Sequence, residues 1–203
     1  MHPAPTSRAP RAARRIFRVP MRGGYTVAAR NSQLESLLRH AYRFGMRLYF
    51  MRHAHALDGD DDAARPLSPR GRKQSEALAG FLANAGVKFE AAFTSPLVRA
   101  HQTAEIVLRE MGVAGDVKLQ IAKALLNETS ETQWNRWLHG LPEREHVLLV
   151  GHAPILAARV RALLTIAHPA TFEMPKGAVA CVDTDDRHSG RLKYFVTPKS
   201  LGL

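Results

Sequence analysis

From residue 46 onward, short apolar runs alternate with stretches whose apolar residues recur every three or four positions. That alternation predicts strands and helices in turn, packed as layers. Residues 47–51 (Arg-Leu-Tyr-Phe-Met) are rich in strand formers and predict a central strand. Ser68-Pro69 supplies an N-cap and a proline at the first helical position. Ala77, Leu78, Phe81, Leu82 and Ala85 then share one face before Gly86 closes the helix. A second strand at 91–94 runs into Ser95-Pro96, read as the start of a helix carrying the stripe Leu97, Ala100, Ala104, Val107, Leu108 and Met111. Residues 118–122 read as a short strand. Ser130 and Gln133 match a capping box before Trp134 and Trp137. Residues 146–150 predict a strand buried on both faces, turned by Gly151 to Pro154 into a helix ending near Leu164. Runs at 178–182 and 192–196 predict a final pair joined by a turn at 185–190. The fold class expected is α/β, a mostly parallel central sheet flanked by helices in three layers.

The first 45 residues break this pattern. They hold nine Arg, no Lys and one acid, Glu35, so they carry +8 of the net +11, while the other 158 residues carry 20 basic and 17 acidic side chains. The charge therefore marks an extension rather than a nucleic-acid-binding domain. The extension has no interleaved aromatic platform, so no nucleic-acid partner is expected. It is Arg-rich and acid-poor like a transit peptide, yet lacks the apolar core of a secretory signal. Ala, Pro and Arg make up 17 of the first 30 residues. Two readings stay open for 1–45: a disordered basic extension, or a translated upstream stretch with the true start at Met46. Residues 33–44 have the spacing of one amphipathic helix. Residues 46–203 form the expected domain.

No apolar run approaches the ~20 residues of a membrane helix, so no membrane partner is expected. Cys181, the single cysteine, excludes an intrachain disulfide, lies in a strand-like run, and reads as a buried thiol in a cytoplasmic, reducing setting. His53-Ala54-His55 offers two histidines with no neighbouring Cys or clustered His to complete a ligand set, so no metal is assigned. The acidic run 58–62 reads as a solvated loop, and no cofactor is called for.

Three segments converge on one geometry: Arg52-His53 at a strand end, Arg99 in the first turn of a helix, and His152 at another strand end. The carboxyl edge of an open α/β sheet is where ligands bind, and guanidinium forks match the oxygens of phosphate. Met51-Arg52-His53-Ala54 resembles the Arg-His-Gly signature of the histidine phosphatase superfamily, with Ala54 in the glycine position. Residues 95–103 (Ser-Pro-Leu-Val-Arg-Ala-His-Gln-Thr) resemble its Ser-Pro-x-x-Arg-Ala-x-Gln-Thr block, and Val150-Gly151-His152 its second-histidine motif. The short length and the Arg65-Pro66-Leu67-Ser68 block resemble the SixA-type phosphohistidine phosphatases, a small phosphoglycerate mutase-like version without a lid insertion.

The resemblance implies His53 as a nucleophile forming a phosphohistidine intermediate, with Arg52, Arg99 and His152 completing the phosphate pocket. Arg65 is either a further phosphate contact or a surface arginine. Glu128 is either a general acid or an exposed loop carboxylate. The implied reaction is metal-independent hydrolysis of phosphohistidine on a protein, by a monomer. The alternatives are a phosphatase of small phosphate esters and an inactive phosphate-binding adaptor.

Overall fold

The computed structural model describes residues 18–20, 26–28 and 45–203. The chain divides into two units, residues 1–43 and 44–203. In the first, β1 (Arg18–Pro20) and β2 (Thr26–Ala28) pair antiparallel, with Val19 opposite Val27. The sequence pattern predicts no strand there. The helix expected over 33–44 lies outside the described residues.

The second unit is built on a six-stranded sheet. Its strands are β3 (Met46–Arg52), β4 (Ala91–Thr94), β5 (Leu119–Ile121), β6 (His146–Gly151), β7 (Val179–Thr184) and β8 (Arg191–Val196), in the spatial order β5-β4-β6-β3-β7-β8. Contacts among β5, β4, β6 and β3 are parallel; β7 and β8 are antiparallel, so the sheet is mixed with a parallel majority. Four α-helices connect the strands: α1 (Pro69–Asn84), α2 (Val98–Glu110), α3 (Glu131–His139) and α4 (Ile155–Leu163).

The strand period of two sorts the core into two halves. Leu48 and Phe50 of β3 and Val147 and Leu149 of β6 face Trp134 and Leu138 of α3 and Leu156 and Val160 of α4. Tyr49 and Met51, with Leu148 and Val150, face Leu78 and Leu82 of α1 and Ala100, Ala104 and Val107 of α2. This is why the central strands read as unbroken apolar runs: both faces are covered. Cys181 is buried in the second half, and burial pushes its thiol up to about 11, so it is inert core.

The structure matches the local signals at α1, where the Ser68 hydroxyl accepts from Gly71 N at 3.1 Å, and at α3, where Ser130 and Gln133 form a reciprocal capping box. The start of α2 differs from expectation. The helix begins at Val98, Leu97 occupies the cap position without a side-chain bond, and Ser95 has another partner. Among the described residues no helix is long and apolar enough to cross a membrane.

Gly71 is fixed by close approach. A Cβ at this position would collide with the His55 carbonyl oxygen, which the Ser68 amide also meets at 3.0 Å. Gly71→Ala must push α1 away from the loop that follows β3. The expected loss of unfolding free energy is about 1–3 kcal/mol, typical of overpacking. It is read from the urea midpoint, and an unchanged midpoint would show that the loop yields freely.

Candidate active site

The parallel register of β3 and β6 pairs Arg52 with Gly151, so the residues just beyond them, His53 and His152, emerge side by side. The ladder continues through His53 N, which donates to Gly151 O at 3.0 Å, and the two imidazole centroids lie 5.0 Å apart. On the far side of β6, β4 pairs Thr94 with Val150, and Ser95 N donates to Val150 O at 3.0 Å. Ser95, His152 and His53 thus stand in a row along the carboxyl edge.

The hydrogen bonds fix which ring nitrogens are available. His53 Nδ1 lies 2.8 Å from the Ala54 carbonyl, which can only accept. Nδ1 therefore carries the proton, and Nε2 keeps its lone pair in a neutral ring. His152 Nε2 lies 2.6 Å from Ser95 Oγ. That hydroxyl oxygen also accepts, at 3.4 Å, from Leu97 N; Ser95 is fully buried, and Nε2 is the acceptor within reach of its own proton. This arrangement puts the His152 proton on Nδ1. That atom is buried and has no hydrogen-bond partner among the described residues, and the same holds for Arg52 Nε. Two unpaired buried N–H donors beside an imidazole lone pair suit an acceptor-rich anion, because such groups are costly to leave unmade.

Arg52 is anchored by its Nη1, which donates to Met174 O at 2.8 Å. Arg99, in the first turn of α2, is nearly buried at 8% exposure. Its Nη2 donates to Asp62 Oδ2 at 2.9 Å, and its Nη1 donates to Asp62 O. Thr103 Oγ1 donates to Arg99 O at 2.7 Å and accepts from Ala54 N at 3.1 Å, tying α2 to the turn after His53. Ala54 itself is fully buried, in a small cluster with Leu67 and Ile106. Its methyl fills that cluster, which is how alanine is accommodated where the signature has glycine.

Electrostatics follow from burial. Desolvation, followed by His152, Arg99 and Arg52, lowers His53 from 6.5 to about 3, against the opposing pull of the Ala54 carbonyl. Desolvation with Arg99 and Arg52 lowers His152 to about 4, and Asp62 acts the other way. Burial also depresses the Arg52 guanidinium, which stays charged. Both rings are neutral near pH 7 beside two cations.

The site residues read from sequence separate into two groups. Arg52, His53, Arg99 and His152 gather at this edge. Arg65 directs its guanidinium into its own loop, with Nε donating to Leu57 O, Nη1 to Asp62 and Nη2 to Asp58. Glu128 is exposed, lining a neighbouring groove with Lys123, Leu126, Thr129 and Gln133. Two participants escape the sequence reading. Ser95 reads there as a helix cap, and Asp62 as part of a solvated run. The Ser-Pro block contains the signal for the first; nothing in an Asp-rich run singles out Asp62.

A family model described as the histidine phosphatase superfamily (branch 1) matches residues 48–137. Phosphohistidine phosphatase SixA of Escherichia coli (strain K12) is 30% identical over 173 residues, covering 78% of this chain and 98% of SixA. The chain belongs to the histidine phosphatase superfamily. Among solved structures, that of the protein histidine phosphatase SixA complexed with tungstate is similar at a TM-score of 0.68 and 26% identity, covering 77% of this chain and 99% of that one. A phosphoserine phosphatase mutant from Entamoeba histolytica shares the fold at a TM-score of 0.57 and 16% identity, over 77% of this chain and 99% of that one. The likeness supports a phosphatase hydrolase of the histidine phosphatase type, in the small form of the superfamily fold.

Sequestered neutral histidines make stability depend on pH. Between about 6.5 and the folded values of about 3 and about 4, the unfolded chain binds protons that the folded one refuses. Stability from these rings therefore rises with pH across that window and is lost on acidification. Imidazole nitrogen shifts of His53 and His152 are expected to remain those of neutral rings from about pH 7 to about pH 5, where free histidine has largely titrated. A midpoint near 6.5 would show that burial does not govern them.

Proposed function

We propose that this member of the superfamily hydrolyses phosphohistidine carried on another protein, through a covalent intermediate on His53. The observation that carries the reading is the pair of unpaired buried donors, Arg52 Nε and His152 Nδ1, beside the Nε2 lone pair of His53. The similar SixA structure holds tungstate, a tetrahedral oxyanion. In the proposed reaction, Nε2 of His53 attacks phosphorus while its Nδ1–H stays on the Ala54 carbonyl. The bond from phosphorus to the substrate's imidazole breaks as the new P–N bond forms. Arg52, Arg99 and His152 donate to the equatorial oxygens, where phosphoryl-transfer catalysis consists mainly of positioning and electrostatics. Water then attacks phosphorus, the P–N bond to His53 breaks, and its electron pair returns to Nε2. The proton lost by the water goes to the departing inorganic phosphate.

The leaving group supports the choice of substrate. An alkoxide needs a proton from an acid, whereas a phosphohistidine protonated on its far nitrogen expels a neutral imidazole. The neutral rings cannot serve as strong acids, and Glu128 stands exposed on a separate loop. The guanidinium groups supply the charge that a metal would otherwise bring, so we propose a reaction without metal. Among the described residues no lid insertion covers the edge, which suits a phosphate carried on a protein surface.

The test is phosphate release from a phosphohistidine-bearing protein and from para-nitrophenyl phosphate, with EDTA present throughout. Preference for the first is expected. Preference for the ester would move the assignment to small phosphate esters and promote Glu128, and no release from either would favour a binding module. In the same assay His53→Ala is expected to retain less than about 1% of the rate, because covalent catalysis depends on that group. Residual activity above that level removes His53 as nucleophile.

Arg99→Ala is expected to lower kcat/KM by about 100- to 1000-fold, the usual cost of losing an oxyanion donor. An unchanged value would take Arg99 out of the pocket.

A further inference from the structure

Arg99 has a long side chain anchored at the helix, and a guanidinium useful for phosphate only if its plane is set. Within the described residues, the loop after β3 sets it. Asp62 presents two acceptors, its carbonyl and Oδ2, to the two terminal nitrogens of Arg99. An Arg side chain offers five N–H donors, so this leaves three, one on each nitrogen. Asp62 is itself 63% exposed on its side chain, and an exposed carboxylate held by one cation ordinarily contributes little. Here it is held from behind. Arg65 Nη1 donates to Asp62 Oδ1 at 2.9 Å, and Arg65 is in turn locked to Leu57 O at 2.8 Å and Asp58 at 3.1 Å.

The loop that carries this relay is closed at its base and pinned at its tip. Ala56 bridges Leu67, and Leu57 N donates to Pro66 O at 2.9 Å. Asp61 Oδ1 accepts from Ala63 N at 2.9 Å, and Ala63 O accepts from Val98 N, at the start of α2, at 3.1 Å. The helix that bears Arg99 and the loop that bears Asp62 are therefore joined at several points, Leu67 N donating to Gln102 Oε1 of α2 at 2.8 Å among them. Arg65 sets one positive charge against the carboxylates of Asp58 and Asp62, so it offsets part of the negative charge that the relay brings to Arg99.

We infer that Asp62 and Arg65 are positioning residues: Arg65 holds the Asp62 carboxylate, and Asp62 sets the plane of the Arg99 guanidinium toward the phosphoryl group. This rests on the reading of Arg99 as an oxyanion donor proposed above. It also gives Arg65 a role without phosphate contact. The hydrogen bond from Arg99, chief among the causes, holds the Asp62 carboxyl below the usual carboxylate range and keeps it ionised at neutral pH.

The experiment is a double-mutant cycle read by tungstate affinity and by kcat and KM for para-nitrophenyl phosphate, with thermal unfolding of every variant. Asp62→Ala and Arg65→Met are each expected to weaken tungstate binding and lower kcat/KM by about 10- to 100-fold, the usual cost of removing a partner that orients a ligating group. In an Arg99→Ala background, Asp62→Ala is expected to change neither by more than about twofold, because its effect passes through Arg99. Should Asp62→Ala not fold, Asp62→Asn, which keeps the shape and loses the charge, takes its place in the cycle. Equal losses in both backgrounds, no loss in the wild-type background, or tighter tungstate binding by the Asp62 variant would each overturn the inference. If Arg99→Ala itself leaves tungstate affinity unchanged, the reading of the pocket fails and this inference with it. If Arg99→Ala weakens tungstate and Asp62→Ala does not, only the positioning role fails.

Discussion

The arrangement of the site depends on the parallel pairing of β3 with β6, in which Arg52 meets Gly151. A parallel register sets two chain segments level and pointing the same way, so the residues just past each strand emerge at the same height. His53 and His152 need no long-range docking to find each other; the backbone ladder does it. A slip of one residue would turn both onto opposite faces of the sheet and also invert which apolar side chains meet α3 and α4. The same pairing that fills the core thus fixes the distance between the two imidazoles.

Burial has a second effect at this edge. The two rings are nearly enclosed, at 7% and 2% exposure, beside Arg52 and Arg99. Low dielectric and positive neighbours both disfavour protonation, so both rings stay neutral. Hydrogen bonding then decides what each neutral ring presents: the Ala54 carbonyl leaves His53 with a lone pair, and the Ser95 hydroxyl leaves His152 with a proton. Two identical side chains acquire opposite characters from one acceptor and one donor. In the proposed function an anion needs donors and positive charge, and a nucleophile needs a lone pair; the same desolvation would serve both.

Much of this is legible in the sequence because the carriers are local. Strand periodicity, the Ser68-Pro69 cap, the Ser130 and Gln133 capping box and the hairpin from Val179 to Val196 all depend on neighbours in the chain. Arg52, His53, Arg99 and His152 can be placed because each follows a strand or opens a helix. Ser95 misleads because Ser-Pro before an apolar stripe has the form of a helix start. The helix begins later, and the hydroxyl turns to His152, a partner 57 positions away. Asp62 and Arg65 are harder still. Their partners depend on a loop folding back on α2, and side-chain pairing across a loop leaves no period in the sequence. The pair of β1 and β2 is too short, at three residues each, to show alternation.

The backbone around His53 is held from both sides. Its amide donates to Gly151 O, while its carbonyl and that of Arg52 accept from Gly177 N at 3.0 and 3.2 Å. Opening it requires parting the central strands, so slow amide exchange is expected at His53. The Asp62 loop is held mainly by exposed hydrogen bonds and ion pairs, so it is expected to open at lower cost than the central strands. The site is therefore assembled from two parts of unequal persistence. On warming, the alignment of Arg99 is expected to loosen before the spacing of the histidines changes.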